Sequence, residues 1–117
     1  MIPVILESPY AGDVEGNLAY LRACIRDCLL RGEAPFASHG LYTQPGVLDD
    51  TVPAEREAGI LAGFVWRPLA VKTVLYLDRG ISGGMLRGVE HAKTCGHVIE
   101  HRRLGPPWAE WVKPLEP

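Results

Sequence analysis

Residues 2–13 read IPVILESPYAGD, and the class of fold follows from them. Ile2, Val4, Ile5 and Leu6 make a short apolar run with β-branched members, which suits a strand buried on both faces. The run gives way to a turn-rich stretch through Ser8, Pro9, Gly12 and Asp13. Beyond it, from Val14 to Arg31, Leu18, Leu21, Ile25, Cys28 and Leu29 recur at helical spacing. Asp13 stands where an N-cap belongs and Gly32 where the helix should be released, so both ends carry a physical signal.

The same alternation continues outward. Residues 34–38, APFAS, form a second strand, followed by a long loop from His39 to Val52 with Gly, Pro and paired Asp but no period. Pro53 opens a second helix with Glu55 and Glu57 in its first turn, an apolar stripe of Ile60, Leu61, Phe64 and Val65, and Pro68 as its stop. Residues 72–77, KTVLYL, make the third strand, and Gly83 to Thr94 a third helix closed by Gly96. Residues 97–103 make a fourth strand. Alternating strands and helices with right-handed crossovers imply an α/β fold. The expected form is a small flavodoxin-like or Rossmann-like three-layer sandwich, a four-stranded parallel sheet in the order 2-1-3-4. One domain over residues 1–104 and a Pro/Trp-rich tail over 105–117 are expected, with no internal repeat.

Composition narrows the function. The chain has 117 residues, 47% hydrophobic and 22% charged, which describes a globular domain rather than a disordered one. Twelve Lys and Arg against 14 Asp and Glu leave a formal charge of −2, with no electrostatic footprint for duplex nucleic acid or a membrane surface. No run approaches the roughly 18 apolar residues of a membrane helix. The opening residues lack a basic segment, so no secretory leader and a cytoplasmic setting are expected. Cys24, Cys28 and Cys95 are an odd number, which argues for thiols, the first two as small core residues on a helix. His91, His97 and His101 lack metal-ligand spacing, so neither a metal nor a cofactor is expected.

Ligands of such sheets bind at the carboxyl ends of the strands, near the point where strand order reverses. That rule selects two loops. In Ser8 to Asn17, SPYAGDVEGN, Gly12 lets backbone approach a ligand, Tyr10 offers a stacking face, and the following helix presents free amides beside Asp13. In Asp78 to Met85, DRGISGGM, Ser82 can cap the helix, Gly83 and Gly84 open its first turn, and Asp78 can accept from sugar hydroxyls. Two glycines in a first turn cost roughly 1 kcal/mol each, which contact with a ligand or tight packing on the sheet would offset. Asp49, Asp50, Glu55 and Arg56 lie toward the same edge, where a carboxylate and a cation can activate water or hold a phosphate, as do His39, Tyr42 and Gln44 on the long loop.

SPYAGDVEGN after the first strand, PAER at 53–56, and DRGISGGMLRGVEHAKTCGHVIEHR at 78–102 together resemble the nucleoside 2-deoxyribosyltransferase-like superfamily, especially its small phage and bacterial members. The D-x-G that ends a strand (Asp78, Gly80), the G-M at 84–85 and the later A-x-x-x-G (Ala92, Gly96) carry the likeness. The resemblance implies a flavodoxin-like fold, a nucleoside or nucleotide substrate, N-glycosidic bond cleavage or transfer by a helix-borne glutamate, and homo-oligomers. It also departs at that glutamate. Alignment on Asp78 and Gly80 puts it at Gly84, alignment on Met85 puts it at Leu86, and alignment on Ala92 and Gly96 puts it at Gly88. None is an acid, and Glu90 lies about 200° around the helix from Gly88.

The expectation is therefore a protein that binds a nucleoside, nucleotide or related ribosyl ligand and acts on its glycosidic bond. Glu55 is expected as the acid. Ser8, Tyr10, Gly12, Asp13, Asn17, Arg56, Asp78, Gly80, Ser82, Gly83, Gly84 and Met85 are expected around the ligand. The alternative is a non-catalytic binder that senses or sequesters a nucleotide-derived signal, the reading that loss of the glutamate favours. Trp108 and Trp111 are expected to cover an apolar patch on this chain or a neighbour.

Overall fold

The computed structural model describes residues 1–106 and Trp108. Strands β1 (Ile2–Glu7), β2 (Glu33–Phe36), β3 (Lys72–Tyr76) and β4 (Ile99–Arg102) pair in parallel in one sheet ordered β2-β1-β3-β4. Helices α1 (Val14–Leu30), α2 (Ser38–Leu41), α3 (Pro53–Trp66) and α4 (Gly83–Thr94) connect them. The α/β architecture and strand order are those the sequence predicts. The first crossover runs to one side of β1 and the next two to the other, so right-handed connections place α1 on one face and α3 and α4 on the opposite one.

On the first face Tyr20, Cys24 and Cys28 of α1 pack against Val4, Leu6, Val74 and Tyr76. Ile5 and Glu7 alternate to the other face, toward α3 and α4. The ends of α1 form where their signals lie: Asp13 accepts a hydrogen bond from the Gly16 amide (3.1 Å), and Gly32 turns the chain away at φ +79°. Ser82 does the same for α4, accepting from the Met85 amide at 3.2 Å.

Two elements differ from expectation. The segment after β2 is not loop throughout but opens with the one-turn helix α2. Tertiary packing sets it: a Cβ at Gly40 would come within 2.5 Å of Leu21 Cδ2, and one at Gly63 of α3 within 2.6 Å of Ser38 Cβ. A helix of four residues has no period to read. The second difference is at the end of α3, where Arg67–Leu69 form a 3-10 turn around Pro68. Pro68 has no N–H to continue the α-helical ladder, and the tighter turn carries Arg67 into the interior, where its side chain is 3% exposed.

A second buried guanidinium closes the α1 face. Arg102 donates from Nη1 and Nη2 to the two Glu33 oxygens, both at 2.7 Å, and from Nη1 to the Tyr76 hydroxyl at 3.1 Å. Lys72 stands 3.1 Å from Glu33, and Arg102 also pairs with Glu100. After β4, Trp108 packs its ring edge-on to Tyr20, centroids 4.9 Å apart, covering an apolar patch of its own chain. Trp111 lies outside the described residues. Among these, no helix is long and apolar enough to cross a membrane.

Candidate functional site

The two loops selected from the sequence leave the carboxyl ends of β1 and β3, which are neighbours, and they meet. Arg79 of the second loop donates from Nε to Asn17 Oδ1 (2.9 Å) and from Nη2 to Asp13 Oδ2 (3.1 Å). Asn17 in turn donates to the carbonyls of Tyr10 (2.9 Å) and Ala11 (3.2 Å), so one chain of bonds ties both loops into a single rim. Beside this rim lies a cavity of about 110 Å³, walled by Glu7, Ser8, His39, Arg56, Gly84 and Gly88 among others. It shares Tyr10, Asp50 and Arg56 with a wider outer groove of about 770 Å³ that reaches Gly12 and Glu55.

Two carboxylates line the cavity, Asp50 at its mouth and the more buried Glu7, the last residue of β1, at its inner end. The Glu7 side chain is 13% exposed, and Oε1 accepts from Arg67 Nη2 at 2.6 Å. Arg67 is held in turn by Thr73 Oγ1 (2.7 Å from Nη1) and by His91 Nδ1 (2.9 Å from Nε). The His91 ring lies flat on Phe64, centroids 3.9 Å apart. Burial and the neighbouring Arg67 and His97 hold the His91 pKa below its ordinary value, which keeps Nδ1 free to accept. Burial pushes the Glu7 carboxyl above the usual carboxylate range, against the opposing pull of Arg67.

Beside Glu7, the Ser8 hydroxyl and His39 Nε2 are 2.7 Å apart. Burial pushes the His39 pKa down to about 4, so the imidazole is neutral at pH 7. At the mouth, Arg56 donates from Nη1 to Asp50 Oδ2 at 3.0 Å, and its Nη2 would lie 3.6 Å from a Cβ at Gly84. A cation thus overlooks the amide end of α4, where an anion is stabilised by charge-assisted hydrogen bonds. Nothing lies within 4 Å of a Cβ at Gly83. Packing on the sheet therefore does not account for the pair Gly83 and Gly84.

Of the residues expected around a ligand, Ser8, Tyr10, Arg56, Ser82, Gly83, Gly84 and Met85 line the cavity, and Gly12 lines the outer groove. Asp13, Asn17, Asp78 and Gly80 stand outside both walls. Asp13 and Asn17 build the rim. Asp78 is spent on the framework: Oδ1 accepts from Tyr20 (2.6 Å) and the Leu104 amide (2.8 Å), and Oδ2 from the Gly105 amide (2.9 Å). Burial opposes its ionisation, but these bonds outweigh that and hold its carboxyl below the usual range. Gly80 supplies a φ of +82° to the turn that follows. Glu55 accepts from the Asp49 amide at 3.2 Å and faces the outer groove, not the cavity. Asp50, one of the acids expected near this edge, does line the cavity, whereas its inner carboxylate, Glu7, and the Arg67 and His91 behind it were outside the sequence expectation. What places Glu7 on this face is its position two residues after Ile5 in the strand, a geometric fact that needs the strand to be known to continue through residue 7.

Gly88 has the tightest surroundings of the helical glycines in α4. A Cβ there would overlap the Glu7 carboxylate, 2.6 Å from Oε2 and closer still to Oε1 and Cδ. Gly88→Ala is therefore expected to cost about 1–3 kcal/mol, because Arg67 keeps the carboxylate from moving aside. Gly83→Ala, which meets nothing, should cost no stability. Urea denaturation of both variants checks the contrast, and equal midpoints would show that Glu7 yields freely.

The family model described as Domain of unknown function (DUF7768) matches residues 2–102, and the chain belongs to that family. No curated protein and no solved structure matches the chain.

Proposed function

We propose that the protein binds a nucleoside, nucleotide or related ribosyl compound at the joined rim of the β1–α1 and β3–α4 loops, and cleaves or transfers its N-glycosidic bond. The observation that carries this is one cavity with a carboxylate at its inner end and a guanidinium over a helix amide terminus at its mouth. The small inner volume suits a pentose, the groove beyond Tyr10 suits a base, and Arg56 with Ser82, Gly83 and Gly84 suits a phosphate. The likeness to nucleoside 2-deoxyribosyltransferases supports the same chemistry. A cytoplasmic setting accords with the free thiols of Cys24, Cys28 and Cys95.

Incubation with 2′-deoxynucleosides and their 5′-monophosphates, with chromatography for free base, tests the activity, and calorimetry tests binding. Base release is the expected result. Arg56→Ala should weaken monophosphates roughly 10- to 100-fold relative to the parent nucleosides. A second reading, a non-catalytic binder, is favoured by the ion pair that Arg67 makes with Glu7. It would be upheld by a ligand that raises the melting temperature and is recovered unchanged. Leu61, Val65 and Leu69 leave an exposed apolar stripe on and just after α3, which suits a homo-oligomer contact. Sedimentation of a monomer alone would remove that part.

A further inference from the structure

We propose that Glu7 is the nucleophile of this site, reaching from β1 into the volume that Gly88 leaves empty on α4. The proposal rests on the glycosidic activity above. Its ground is the state of the two Glu7 oxygens. Oε1 is held by Arg67, whereas Oε2 has no hydrogen-bond partner among the described residues. Among the same residues no side-chain polar atom is both buried and without a partner, so Oε2 is open to the cavity.

A carboxylate tethered by one oxygen and free at the other has a fixed direction of attack. Arg67 cannot swing away, because Thr73 and His91 hold its other nitrogens. Of the other acids nearby, Asp50 also lines the cavity with one oxygen on Arg56, but it stands at the mouth beside the guanidinium assigned to the phosphate; Glu55 bonds the Asp49 amide and faces the outer groove, and Glu57 pairs with Arg87. Glu90, on the exposed side of α4, sits 3.6 Å from Lys93. Any side chain at position 88 would displace the Glu7 carboxylate, so the glycine and the glutamate form one arrangement across two elements.

In the first step an Oε2 lone pair forms a bond to the anomeric carbon as the C–N bond breaks. That electron pair goes to the base nitrogen, which takes a proton from water. In the second, the oxygen of a water attacks the same carbon and the ester bond to Oε2 breaks, returning its electron pair to the carboxylate. The attacking water's proton leaves through the Ser8–His39 pair on the same cavity wall and neutralises the hydroxide left when the base took its proton. Two displacements at one carbon retain its configuration.

The test uses the whole chain with a panel of 2-deoxy-2-fluoroarabinosyl nucleosides and their 5′-monophosphates, whose fluorine slows breakdown of a glycosyl ester. Peptide mapping is expected to find the sugar on Glu7. With 2′-deoxynucleosides, Glu7→Gln, which keeps an acceptor for Arg67, should lose base release by roughly 10³-fold or more. The exchange variant Glu7→Ala/Gly88→Glu, which carries a carboxylate into the same space from α4, should recover at least about 10-fold over Glu7→Ala alone. An adduct on another residue, or base release undiminished in Glu7→Gln, overturns Glu7 as nucleophile and leaves the glycosidic activity standing. Binding without release or adduct overturns it in favour of the non-catalytic binder. A panel that neither binds nor reacts overturns both.

Discussion

Replacing Arg67 with alanine is expected to lower stability by about 3–5 kcal/mol, the usual cost of stranding one partner of a buried ion pair. For a domain of this size that corresponds to a fall in melting temperature of roughly 10–25 °C. The guanidinium serves Glu7, Thr73 and His91 at once, and its side chain is 3% exposed, so water cannot replace it without opening the interior. The loss should also depend on pH. Without Arg67 the burial that raises the Glu7 carboxyl is unopposed, and the folded variant holds that proton more tightly than the unfolded chain does. Stability from this proton is fully present below the unfolded value of 4.5 and is lost as pH rises through the higher folded value. The deficit should therefore shrink as pH is lowered from 8 toward 5. Melting curves across that range measure it, and a deficit that is small or indifferent to pH would show that Glu7 needs no buried counter-charge. The double variant Glu7→Leu/Arg67→Met, which removes both charges, should recover much of the loss.

Arg102→Ala should be comparably damaging on the opposite face, by about 3–4 kcal/mol, since Lys72 remains as a weaker partner for Glu33. Here the sign with pH is reversed. Hydrogen bonds from Arg102 outweigh burial and, with Lys72, lower the Glu33 pKa to about 2. The stability this confers is present above the unfolded value of 4.5 and is lost as pH falls through about 2. At about 1.4 kcal/mol for each pH unit between those values, it amounts to about 3–4 kcal/mol. The wild type should lose that increment on acidification from pH 5 to pH 2, and Arg102→Ala should lose much less of it. Parallel acid-denaturation curves for the two proteins would place the stabilisation elsewhere.

These two guanidiniums mark what was hard to read in the chain. The strands and long helices were legible because each carries a local cause: the apolar run before Glu7, the Asp13 and Ser82 caps, Gly32 and Gly96 with positive φ, Pro53 in a first turn. Arg67 and Arg102 look from the sequence like ordinary surface charges, since nothing local tells a buried arginine from a solvated one. Glu7 was hidden for a related reason. A strand apolar on both faces shows no alternation, so the residue that ends it reads as the start of a turn. Asp78 misled in the other direction, because a carboxylate at the end of a central strand suits a ligand as well as it suits the backbone amides of Leu104 and Gly105.

The order of elements, the parallel sheet and the two loops at its rim are consequences of short-range chemistry, in which period, caps and glycines act within a few residues. Which carboxylate enters the cavity is a long-range outcome. Glu7 and Arg67 are 60 residues apart, Gly88 lies on a third element, and only close packing of β1, α3 and α4 brings a free oxygen, its counter-charge and the space for both together. Linear pattern encodes such a meeting weakly, because each of the three residues is unremarkable until the others are beside it.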